Sequence, residues 1–110
     1  MNEKEFFLEL FPQEYELLNI KNFKDFEGKS FYFVKDVEEL NILRSSTEGG
    51  VCECVKENTN KALVEYFHSI INQGIELPIF INSKNQVIDG HHRIQAYHLL
   101  GRTEIPIYRN

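Results

Sequence analysis

Residues 83–107, SKNQVIDGHHRIQAYHLLGRTEIPI, read as a strand, a tight turn, a helix and a second strand, and the elements on either side fall into place around them. Val87-Ile88 supply the first strand after a hairpin-like turn at Lys84-Asn85, and Ile105-Pro106-Ile107 supply the last. Asp89, His91, His92 and Arg93 crowd around Gly90 where strand meets helix. The free N–H groups of a helix start point outward and carry the positive end of its dipole, so such a junction suits an anion, phosphate above all.

On a helix from Gly90 to Leu100, Tyr97, Ile94, Leu100 and Ala96 form an apolar arc centred on Arg93. His92 lies toward that arc, whereas His91, Gln95 and His98 face away. A core-facing guanidinium needs an acidic partner, because burying an unpaired charge is costly. The partner is either an internal carboxylate, Asp89 or Glu48, or a ligand phosphate matched to the arginine fork. Asp89 also suits a helix cap in an Asp-Gly turn. His91 and His92 are adjacent, so their rings diverge and do not form the i,i+4 pair of helix-borne zinc sites; no metal ligands are assigned. Proton transfer or donation to phosphate fits them better.

Upstream, Leu63, Val64, Phe67, Ile70 and Ile71 make one continuous stripe on a helix capped by Asn58 or Thr59 and closed by Gly74. Leu77 to Ile81 then read as a strand begun at Pro78. Phe31 to Val34 are aromatic and β-branched, which predicts a strand, and Asp36 with Glu39 resembles a capping box opening a short helix to about Leu43. Arg44 to Gly50 is a loop, and Val51 to Val55 is undecided between strand and irregular chain. Near the start, Phe6, Phe7, Leu10 and Phe11 give a helix with one greasy face. Tyr15, Leu17 and Leu18 extend that pattern into a second helical stretch beyond Pro12. These aromatics cover an edge of the core or form an exposed partner-binding arm.

The length suits one small domain. No apolar run approaches the roughly 20 residues that cross a bilayer, and the acidic start lacks a signal peptide's pattern, so a cytoplasmic protein without membrane contact is expected. Cys52 and Cys54 fit that compartment; without a second pair they do not complete a zinc site, and an ordinary half-buried pair is expected. Gly49-Gly50 is too short for a P-loop. Residues 1–60 hold 13 acids and 7 Lys or Arg, whereas residues 61–110 hold 4 acids, 5 Lys or Arg and all four histidines. Anions therefore belong in the second half. A net charge of −5 argues against extended binding of a DNA backbone but is compatible with small phosphorylated ligands.

The order helix, Gly, Pro-begun strand, V-I-D-G-H-H-R, amphipathic helix, L-G-R-T and I-P-I, over Leu63 to Ile107, resembles the ParB/sulfiredoxin superfamily, with Phe31 to Leu40 as its opening strand and turn. The resemblance implies an α+β fold: a single small ParB/sulfiredoxin-like domain at residues 31–110, a mixed sheet with packed helices; residues 1–30, which the resemblance does not cover, read as an N-terminal helical extension. It implies a phosphate-holding role for Gly90, His91, His92 and Arg93. Sulfiredoxins carry a reactive cysteine where this chain has His91, which disfavours their chemistry. The chain ends three residues after the last strand, so the helix-turn-helix of partition proteins is not expected. The D-G-H-H-R form is most similar to ParB-like free-serine kinases, which implies that Asp89 assists an attacking hydroxyl and His92 a phosphate. Glu48 is then the candidate for an accompanying glutamate, with Glu53 as competitor. The implied cofactor is a nucleoside di- or triphosphate (ATP, ADP or CTP) with Mg²⁺, and the implied partner a small-molecule acceptor. The alternatives are a non-catalytic regulatory or interaction module, tied to a phage or mobile element and engaging a protein or a second copy through the aromatic N-terminal helix, and, with less support, a nuclease.

Overall fold

Among the described residues four strands form one mixed sheet in the order β1-β4-β2-β3: β1 (Glu16–Asn19), β2 (Ile79–Ile81), β3 (Val87–Asp89) and β4 (Glu104–Arg109). β4 is central, antiparallel to β1 with Leu17 opposite Pro106, and parallel to β2 with Ile79 opposite Ile107. β2 and β3 are antiparallel across the turn at Asn82–Asn85, where Asn82 Oδ1 accepts from Lys84 N and Gln86 N and Asn85 takes a positive φ of 64°. The computed structural model describes residues 2–36, 38–39 and 61–109.

Helices α2 (Lys61–Asn72) and α3 (His91–Leu99) pack against each other, and α3 also packs against β2. The apolar stripe of α2 sends Val64, Ile70 and Ile71 inward, and Gly74 closes the helix at φ +93° as its position suggests. Ile79, Ile81, Ile105 and Ile107 meet Ile94, Ala96 and Tyr97 in the core. Burying each such aliphatic side chain contributes roughly 1.5–3 kcal/mol, enough to hold three-residue strands that have little stability of their own. The architecture is α+β, as expected. The caps expected at Asn58 or Thr59, the loop with Glu48, the Cys52–Cys54 pair and Glu53 lie outside the described residues.

The N-terminal segment differs from its sequence reading in one place. α1 (Glu3–Leu10) is capped by Asn2, whose side chain accepts from Glu5 N, and it buries Phe7. The second helical stretch is not there: Glu16–Asn19 is a strand, followed by one 3₁₀ turn at Ile20–Asn22. Pairing with β4 supplies backbone hydrogen bonds that a short helix would have to make alone, and four local residues cannot outweigh it. Pro12 ends α1, and its carbonyl accepts a hydrogen bond from the Tyr108 hydroxyl.

Phe31 to Val34 form no strand. Their backbone is taken up by a side chain instead: Gln95 Oε1 accepts from Val34 N at 3.0 Å, and Gln95 Nε2 donates to Tyr32 O at 2.8 Å. The segment thus lies over α3 rather than at the sheet. Gln95, expected to face away, is wholly buried for the same reason. The Asp36 cap does form, with Oδ1 accepting from Glu39 N at 3.0 Å, although most of the helix it would open lies outside the described residues.

Candidate functional site

The turn from β3 into α3 opens into a cavity of about 580 Å³ lined by Phe11, Phe67, Ile88, Asp89, Gly90, His91, His92 and Arg93. That size suits a small organic ligand, since pockets for such molecules run from about 300 to 1,000 Å³. Asp89, Gly90, His91, His92 and Arg93, the residues singled out in the sequence, all line it.

Gly90 occupies the N-cap of α3 in the left-handed region at φ +114° and offers no side-chain cap. The cap reading of Asp89 is corrected accordingly, because Asp89 ends β3 one position earlier with its side chain 74% exposed. Ile94 N bonds to Gly90 O at 2.8 Å and starts the helical ladder, so the amides of the preceding turn have no acceptor within the helix. They carry the positive end of the dipole toward the cavity. Only glycine fits here: a Cβ on residue 90 would stand 2.9 Å from Arg93 Nη2 and 3.1 Å from Ile79 Cδ1.

Arg93 lies directly beneath this turn, 5% exposed. Its Nη1 donates to the Pro78 carbonyl at 2.8 Å, and its Nη2 is 3.4 Å from Asp89 Oδ2. The Phe11 ring covers the guanidinium at 4.6 Å, with Phe80 farther off at 5.9 Å. Burial lowers the pKa of Arg93 from its usual value while Asp89 opposes the shift, and an arginine this basic keeps its charge. An internal carboxylate is thus present, but its contact is long and its outer end is in solvent. Among the described residues the buried charge is only partly neutralised.

His91 is half-buried beside Phe31, with ring centroids 5.9 Å apart. Burial pushes its pKa down, the neighbouring His92 adds to that, and Asp89 works against it. His91 is therefore a neutral imidazole near neutral pH. His92 is also half-buried and lines the cavity. Among the described residues no three His, Cys, Asp or Glu side chains cluster as a metal site, and Asp89 is the carboxylate at the cavity.

Three contributors escaped the sequence reading: Phe11, Phe67 and the Pro78 carbonyl. The two aromatics sit in apolar stripes that announce core packing without saying which neighbour they meet. A backbone carbonyl leaves no trace in residue type at all.

Among the described residues no helix is long and apolar enough to cross a membrane. Neither a search of curated proteins nor one of solved structures found a match to the chain. The family model of the ParB N-terminal domain matches residues 34–109, more than half of the chain, and contains β2, β3, α3, β4 and the Gly90 turn. By that match the chain belongs to the ParB N-terminal domain family.

Proposed function

We propose that this domain binds a nucleoside di- or triphosphate with its terminal phosphate at the start of α3 and transfers that phosphate to a small hydroxyl-bearing acceptor. The observation that carries the reading is the coincidence, in one cavity, of an uncapped helix start and a buried arginine whose charge is only partly balanced. A phosphate supplies the missing negative charge, accepts from backbone amides and Arg93 Nη2 together, and is stabilised by both.

Asp89, exposed at the mouth beside Arg93, takes the proton of the acceptor hydroxyl. The hydroxyl oxygen attacks the terminal phosphorus, and the bond to the leaving nucleotide oxygen breaks as its charge passes to the nucleotide. His92 donates to the phosphate. Mg²⁺ would be held mainly by the phosphate oxygens with one carboxylate, and would neutralise phosphate charge. Glu48 or Glu53 is the further carboxylate proposed for the acceptor.

A thermal-shift panel of ATP, ADP, CTP and GTP with and without Mg²⁺ tests binding: at least one nucleotide raises the melting temperature, and the rise is lost in Arg93→Ala. Unchanged affinity in Arg93→Ala removes the proposal at its first step. Phosphate release or transfer that disappears in Asp89→Asn supports turnover. Tight binding without turnover supports the second reading, a non-catalytic module, which is favoured by the exposed Phe6 and Leu10 on α1, 49% and 54% accessible, as a surface for a protein or a second copy.

A further inference from the structure

Arg93 is held from a part of the chain outside the family match. Phe11 lays one face of its ring on the guanidinium at 4.6 Å, while Phe7 stacks against it at 6.4 Å between centroids, with the two rings 19° from parallel. Phe7 is in turn wedged against Tyr66 and Phe67 of α2. The segment is fastened on the far side as well, because Gln13 Nε2 donates to Phe11 O at 2.7 Å and to Glu76 O at 3.2 Å, and Pro12 O accepts from the Tyr108 hydroxyl. A column of aromatic rings therefore runs from α2 through α1 to the guanidinium.

Among the described residues the other restraints on Arg93 are the more distant Phe80 ring, at 5.9 Å, and two polar contacts of unequal length. Nη1 has one good hydrogen bond, to Pro78 O, and Nη2 has the long contact to Asp89. The short bond fixes one point, and the long contact only loosely opposes rotation of the guanidinium plane about it. A ring face laid on the guanidinium removes that rotation, since the attraction between cation and ring requires the two to overlie. We infer that Phe11 is a positioning residue for Arg93, turning Nη2 toward the Gly90 backbone so that one phosphate meets it and the helix-start amides together. The inference rests on the phosphate-site reading above. It gives α1 and the residues after it a role in the site rather than only in the core.

The test is a double-mutant cycle on the full chain, with inorganic pyrophosphate as the probe and amide chemical-shift titration as the readout, which follows millimolar affinities. Phe11→Leu keeps an apolar side chain but loses the ring face, and it is expected to weaken pyrophosphate binding about tenfold. Phe11→Tyr, which keeps the face, restores it. In an Arg93→Met background the same Phe11→Leu change moves affinity by less than about twofold, because its effect passes through the guanidinium. Equal weakening in both backgrounds, or no weakening with Arg93 present, overturns the inference and leaves phosphate binding intact. A wild-type chain that binds neither pyrophosphate nor any nucleotide overturns the phosphate-site reading and this inference with it. Thermal melts of each variant establish that the folded state is the one titrated.

Discussion

Two arginines at opposite ends of α3 are treated in opposite ways. Arg102, just past the helix, gives Nη1 to Glu76 Oε1 at 2.9 Å and Nη2 to Glu76 Oε2 at 3.3 Å, lies over the Tyr97 ring at 5.1 Å and reaches Glu104 O. Glu76 also accepts from the Tyr97 hydroxyl at 2.8 Å, and that hydroxyl accepts in turn from Leu77 N at 2.6 Å. Every charge there has a near partner, and bonding to Glu76 holds the Arg102 pKa up. Arg93 is deeper, yet its carboxylate is farther away and mostly in solvent. The contrast separates a closed structural pair from a charge left short of a partner at the wall of a cavity. The second arrangement costs stability unless an anion completes it.

Four measurements sharpen or break that comparison. The largest effect belongs to the closed pair: Glu76→Ala removes the acceptor of three hydrogen bonds at once and is expected to lower unfolding free energy by about 3 kcal/mol in a denaturant melt, with no change in pyrophosphate affinity. Arg93→Met is expected to reverse the pattern. Calorimetric titration should show ligand affinity lower by about 2 kcal/mol, roughly 30-fold, while thermal stability stays level or rises. If Arg93→Met instead unfolds the protein, the two arginines are alike and the distinction fails.

Gly90→Ala comes next. The left-handed φ and the 2.9 Å approach to Arg93 Nη2 predict a loss of about 1–2 kcal/mol in chemical denaturation, together with weaker ligand binding because the guanidinium is displaced. The smallest effect is the pH dependence. Burial holds His91 and His98 below the ordinary imidazole value, so as pH falls the unfolded chain takes up protons before the folded one does. Their contribution is complete above a pH of about 6.5 and is lost below it as the unfolded state is favoured. Melting curves between pH 7.5 and 5 should show a decline that His91→Gln reduces and that His98 partly maintains.

Legibility in the sequence followed the range of the forces involved. The α2 stripe, the Pro78 strand start, the Asn85 turn and the cluster from Asp89 to Arg93 were readable because each depends on neighbours within a turn or two of chain. Glu16–Asn19 and Phe31–Val34 were misread in opposite directions because their backbone partners are far away in sequence, β4 for one and the Gln95 side chain for the other. The site divides in the same manner. Arg93 was visibly a charge on an apolar arc, but its holders, the Pro78 carbonyl and the Phe11 ring, come from 15 and 82 residues upstream in the chain.

The position of β1 bears on how this domain can be cut. Residues 16–19 cover the outer edge of β4, and the family match begins well after them, at residue 34. A fragment trimmed to the matched region would leave β4 with an uncovered row of backbone donors and acceptors along Ile105 and Ile107, the kind of edge that recruits strands from other molecules. In this chain β1 covers that edge, and removing it opens the edge to strand pairing between molecules.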